Sequence, residues 1–187
     1  MSFKIHTKET APAASVAIME GLEQHIGFIP NLIGVLAESP MAISAVAAVN
    51  QASEHSTLSP IELRVVTVTA STENNCTYCV PAQSAMAKLA EMPDEILEQI
   101  RSGMPLSDNK LDALHSFTRN VIHNNGWVAE NDVNDFLLAG YTTEQVMDVI
   151  TLVALMTLTN FIGHISSLPL DDAFMSHQWR SEQFKSA

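Results

Sequence analysis

The sequence predicts an all-α protein, and three observations carry that prediction. Apolar residues recur at spacings of three and four along most of the chain, the period of a helix with one buried face. Helix starts (Ser59-Pro60, Pro93-Asp94, Thr142-Thr143-Glu144) alternate with helix stops (Gly27, Gly103, Asn125-Gly126, Gly140). The β-branched run Val65-Val66-Thr67-Val68-Thr69 has no second strand to pair with.

Taken in order, residues 15–25 form a helix apolar at Val16, Met19, Leu22 and Ile26 that ends at Gly27. Pro30-Asn31 opens a short segment ending near Ser39-Pro40, and an alanine-rich helix covers 41–54. Ser59 is a good N-cap, with Pro60 at the first helical position. That start signal stands just before the β-branched run. We read the run as a buried helix, because strand propensity is a weak prior against it. Pro93-Asp94 opens a helix closed by Gly103, and 107–124 is amphipathic. A short helix over 130–139 stops at Gly140, and a long apolar one runs from Thr142 to about Gly163. Asp171-Asp172 predicts the cap of a final turn, and 176–187, without periodicity, reads as a flexible tail. The methionines, Met147 and Met156 among them, read as gap-filling core.

Composition narrows the function. The 187 residues, 47% hydrophobic and 16% charged, fit one domain over 1–187 and exclude disorder. A net charge of −12 repels polyphosphate, so no nucleic-acid partner is expected. The N-terminus has no apolar signal core. The most apolar stretch, 149–161, falls short of the roughly 18 residues of a membrane span. The expectation is a cytoplasmic protein that meets no membrane. Its helices are apolar on more than one face, which predicts a homo-oligomer.

The chemistry is concentrated in Cys76-Thr77-Tyr78-Cys79-Val80-Pro81-Ala82-Gln83. Two thiols at this spacing can close a disulfide and exchange it with other thiols. Proline is tolerated only in a helix's first turn, so the helix after the motif starts no earlier than about Cys79. This places Cys79 at the positive end of the helix dipole, where a thiolate is favoured, with Cys76 one turn earlier and able to resolve. A continuous helix kinked at Pro81 would blur that distinction, and two inert cysteines on one helical face are the plain alternative. Zinc needs four ligands, and no second CxxC exists, so no metal is expected.

The stretch Leu58-Ser59-Pro60, Cys76-Thr77-Tyr78-Cys79 and Ala90 resembles the alkylhydroperoxidase AhpD / carboxymuconolactone decarboxylase family. Gly27-Phe28-Ile29-Pro30-Asn31-Leu32, Thr159-Asn160-Phe161-Ile162-Gly163-His164 and Leu168-Pro169-Leu170-Asp171 resemble its peroxidase-related branch. The resemblance implies an AhpD-like helical fold, trimers or hexamers, and thiol-based reduction of a small hydroperoxide. It implies that Cys79 attacks the peroxide and Cys76 resolves the sulfenic acid as a disulfide. No bound cofactor is implied. An external dithiol, from a lipoylated or other thiol-donor protein, would restore the thiols.

Two departures stand beside the likeness. The family's relay Glu and His fall at Arg64 and Gln83. Gln83 cannot take a proton at neutral pH, whereas Arg64, if turned toward the thiols, would lower a cysteine pKa by its charge. Glu73, Tyr78 and His164 are the candidate supports. Glu62 is turned away on its helix, and His115 and His123 have no thiol or carboxylate companion in sequence. Three functions remain in view: a CxxC-dependent alkyl hydroperoxide reductase, a thiol–disulfide exchanger or redox sensor, and a lactone decarboxylase. The paired cysteines argue against the last.

Overall fold

The computed structural model describes residues 3–180 and contains, among them, nine α-helices and no strand. They are α1 Ala13–Ile26, α2 Asn31–Leu36, α3 Pro40–Ala52, α4 Pro60–Glu73, α5 Cys79–Leu89, α6 Asp94–Arg101, α7 Asn109–His123, α8 Glu130–Leu138 and α9 Thr143–Ser166. Short 3-10 turns cover Ser53–His55 and Asp172–His177. The expected boundaries hold to within a few residues. Gly27, Gly103, Gly126 and Gly140 all take the left-handed backbone that stops a helix.

Helix α4 is the axis of the fold, packed against α5, α6, α7 and α9. Its start is a capping box: Ser59 accepts from the Glu62 amide, while the Glu62 carboxylate accepts from the Ser59 amide. The β-branched run lies inside this helix, with Val65, Val66, Val68 and Thr69 fully buried. Burying a valine contributes roughly 1.5–3 kcal/mol. A poor helix former costs at most about 0.7 kcal/mol, so packing overrides local preference.

Three apolar clusters surround this axis. The largest joins α4, α6, α7, α8 and α9, where Phe136 stacks between Phe117 and Tyr141 with centroids 4.4 Å apart on either side. A second unites α1, α2 and α3 with Leu155 of α9. The third contains Cys76, Tyr78, Cys79, Met156 and Phe174. Helix α9 touches all three. By length and composition it could cross a bilayer, yet it lies against α2, α3, α4, α5 and α7.

Several expectations are corrected. Asp171 places no side-chain bond on the turn that follows it. It caps α2 instead, accepting from the Asn31 amide at 3.1 Å. Asn31 answers by donating to the Pro169 carbonyl at 3.1 Å, so the two family-like segments at opposite ends of the chain are tied together. Met156 is core, whereas Met147 is exposed. Of the predicted tail, 177–179 is anchored: Arg101 donates to the His177 and Gln178 carbonyls, and the Trp179 indole donates to the Arg101 carbonyl. The rest of that tail, 181–187, lies outside the described residues.

Candidate active site

The two cysteines are positioned by the end of one helix and the start of the next. Helix α4 closes in a Schellman motif. Asn75 takes φ +55°, its amide bonds the Thr72 carbonyl, and the Cys76 amide bonds the Ser71 carbonyl at 3.0 Å. Asparagine tolerates this left-handed position better than most residues. The chain then turns through Thr77 and Tyr78, and α5 begins at Cys79, as Pro81 requires. The continuous kinked helix is thereby excluded.

Both thiols are free and buried. The Cys79 amide donates to Cys76 Sγ at 3.2 Å. The Cys79 thiol also donates to Cys76, and this bond, helped by the Cys79 and Tyr78 amides, holds Cys76 below the ordinary thiol range despite burial. As the donor, and itself buried, Cys79 is pushed well up. The two shifts run in opposite directions, and the acceptor of the pair is Cys76. The reason is geometric: Cys76 caps the open amides of α5, whereas Cys79 is already inside the helix.

Two residues of α9 complete the pocket around the sulfurs. Gly163 lies flat against them, and a Cβ there would stand 3.3 Å from Cys76 Sγ. Asn160 is fully buried, and its Oδ1 accepts from Asn74 Nδ2 at 2.9 Å. Its amide nitrogen completes no hydrogen bond, yet it lies near enough to both thiols to favour their ionised forms slightly. The sequence assigns neither residue a role. The only signal was their place in the segment 159–164.

The cysteines open on different spaces. Cys79 lies on the wall of an apolar cavity of about 410 Å³ that also takes in Arg64, Gln83, Met86, Leu152 and Phe174. Cys76 lines a second, more polar cavity of about 300 Å³ with Thr77, Gly163, His164 and Ser167.

The relay positions come together, but not at the thiols. Arg64 Nη1 donates to Gln83 Oε1 at 3.2 Å. Burial lowers the Arg64 pKa, and its charge is not among the causes that shift either cysteine. Glu73, three residues before Cys76, is drawn away from it. One oxygen meets His123 at 2.5 Å, and the other approaches Arg119 Nε to 2.7 Å as an ion pair without hydrogen-bond alignment. His123 thus has the carboxylate companion that its sequence neighbourhood did not reveal. Glu62 is held by Ser59 and Lys110. Tyr78 does not lie loose over the sulfurs. Its hydroxyl donates to Asp171 at 2.5 Å, accepts from the Leu32 amide at 3.3 Å, and its ring meets Phe174 edge-on. Burial and Asp171 keep that hydroxyl protonated. His164 is exposed, on the Cys76 side. Among the described residues, no group of three or more His, Cys, Asp or Glu could hold a metal ion.

Comparison with solved structures defines the fold. The chain superposes on the alkylhydroperoxidase AhpD core of an uncharacterised peroxidase-related protein from Ralstonia eutropha JMP134, with a TM-score of 0.81 and 22% identity over 91% of this chain and 92% of that one. A peroxidase-related protein from Silicibacter sp. TM1040 gives 0.77 and 17% over 93% and 92%. The debrominase Bmp8, as a cysteine-to-alanine variant in complex with 2,3,4-tribromopyrrole, gives 0.77 and 15% over 94% and 95%. The protein therefore has the all-α AhpD-like fold in a single domain. No family model matches the sequence, and no curated protein does.

Proposed function

We propose that the protein is a dithiol-dependent alkyl hydroperoxide reductase in which Cys79 attacks and Cys76 resolves. The observation that carries this reading is the Cys79–Cys76 pair itself: two free thiols joined by the Cys79 amide, which donates to Cys76 Sγ at 3.2 Å, with Cys79 facing an apolar cavity. The Cys79 sulfur attacks the distal oxygen of the hydroperoxide and the O–O bond breaks. The Cys79 proton, passed through Cys76, ends on the departing alkoxide, giving a Cys79 sulfenic acid and an alcohol. The Cys76 thiolate then attacks the Cys79 sulfur and expels hydroxide to form the disulfide. An external dithiol, such as a lipoyl group on a carrier protein, returns both electrons and is released as its own disulfide.

In this scheme Cys76 substitutes for the base that Arg64 and Gln83 cannot provide. In this reading the reductant enters from the polar cavity at Cys76, which His164 also lines. We assign the protein to the cytoplasm, where such thiols stay reduced.

Arg64 and Gln83 bond each other, and Glu73 pairs with Arg119 and His123 instead of the thiols, which favours a second reading, a thiol–disulfide exchanger or sensor with little peroxide turnover. The likeness to a debrominase adds halogenated aromatics to the substrates worth trying. The deciding experiment reduces the protein, adds one equivalent of an organic hydroperoxide and follows free thiols by mass spectrometry, beside Cys79→Ser. Fast closure of a Cys76–Cys79 disulfide, lost in the variant, is expected. Thiols that stay reduced for hours under peroxide yet exchange with an added disulfide would establish the second reading instead.

A further inference from the structure

We infer that the substrate of the 410 Å³ cavity is an acidic amphiphile, with an apolar body against the cavity wall and a carboxylate on Arg64. The inference rests on the reading that Cys79 meets its substrate in this cavity, and it names the class of that substrate. Arg64 is a largely desolvated guanidinium whose one hydrogen-bond partner is the neutral amide of Gln83. No carboxylate lies within 4.0 Å of it among the described residues. The other two arginines packed into the fold are paired, Arg101 with Glu98 at 3.2 Å and Arg119 with Glu73 at 2.7 Å.

An unpaired guanidinium is out of character in a chain with 21 acidic residues and nine lysines and arginines. A desolvated cation without an anion is costly, and an anion supplied by a ligand removes that cost. Gln83 occupies one part of the guanidinium fork, leaving donors for a planar carboxylate. Met86, Leu152, Leu155 and Phe174 supply an apolar stretch of wall for the ligand's body, beside a smaller polar share from residues such as Asn50 and Thr67. Of the other ionisable groups on the wall, Tyr78 and Cys79 are buried, whereas His25 and Glu54 are exposed, so water screens them. Cys79 on the same wall puts the reacting sulfur beside the ligand's apolar part.

Decanoate and the uncharged 1-decanol serve as probes, titrated calorimetrically into the reduced wild type, Arg64→Met and Arg64→Lys. Decanoate should bind the wild type at least about tenfold more tightly than decanol, the scale of one charge-assisted contact. It should also slow alkylation of Cys79. Arg64→Met should erase the preference for the acid while keeping decanol binding, and Arg64→Lys should retain part of it. Equal binding of acid and alcohol by the wild type, which needs no variant to fold, overturns the inference, as does an acid preference that survives in Arg64→Met. Turnover of cumene hydroperoxide, an uncharged substrate, is measured in parallel. Arg64-dependent acid binding without any turnover sinks the peroxidase reading and leaves the acid site standing. Turnover without Arg64-dependent binding does the reverse.

Discussion

A Cβ placed on Gly163 would stand 3.3 Å from the sulfur of Cys76 and 3.8 Å from that of Cys79. Helix α9 carries glycine at this point because the α4–α5 turn presses its two sulfurs against the helix surface. In an ordinary helix interior, replacing glycine by alanine stabilises by about 1 kcal/mol. Here the added methyl meets a sulfur that must yield a few tenths of an ångström, and the two effects roughly cancel. Gly163→Ala should therefore melt within a few degrees of the wild type. Disulfide closure, which depends on the placement of the pair, should slow by about tenfold. Thermal melting and quenched-flow thiol counting check the two halves. An unchanged closure rate would show that the close approach does not govern the chemistry.

Asn160 offers the sulfurs a donor without being able to move a proton. Its carbonyl oxygen is held by Asn74, its amide nitrogen has no hydrogen-bond partner, and its nearness favours the ionised form of both thiols. Its dipole favours the ionised form of Cys76, so removing it should raise the pKa of that thiol. Asn160→Leu keeps the volume and removes the donor. The pH profile of Cys76 alkylation by iodoacetamide should shift upward in this variant. In Asn74→Ala, where Asn160 is freed but present, it should shift less.

The helices were legible from punctuation alone, because Ser59-Pro60, Pro93-Asp94, Thr142 and the glycine stops act within one turn of chain. The start of α5 followed from Pro81 for the same reason. What could not be read were pairings across sequence distance. Asn160 and Gly163 reach the cysteines only once α9 is laid along α4, and nothing near them in sequence announces it. Glu73 looked free to serve Cys76 because Arg119 and His123 come from α7. The helix dipole placed a favoured thiolate at the start of α5, but which sulfur accepts from the open amides is a matter of the turn before it. The group that caps the amides gains from them, and that group is Cys76.

His115 makes the fold sensitive to mild acid. It is buried on α7, with Nδ1 2.8 Å from the Thr69 hydroxyl and Nε2 without a partner. Burial, followed by the nearby charge of Arg119, lowers its pKa from 6.5 to about 4. A depressed histidine pKa means that the unfolded chain binds the proton more readily. The stabilising contribution is thus complete above pH 6.5 and is lost as pH falls through about 4. Its size is up to about 3 kcal/mol. Urea unfolding between pH 7 and 4 should show a steeper loss in the wild type than in His115→Gln, which keeps a partner for Thr69 but does not titrate. Parallel curves would assign the acid sensitivity to other groups.

The outer face of α9 predicts assembly. Met147, Ile150, Leu158, Phe161 and Ile165 are exposed at spacings that keep them on one stripe of the helix. Such a stripe is self-complementary at a shallow crossing angle, which suits a second copy of the same helix. It lies on the helix that carries Asn160 and Gly163, so assembly would also stiffen the wall behind the sulfurs. Analytical ultracentrifugation should find the wild type above its 20.4 kDa chain mass. Phe161→Glu places a charge in the middle of the stripe and should shift the protein toward monomer with the helical content unchanged. A wild-type chain that sediments as a monomer at micromolar concentration would remove the stripe as an interface between copies.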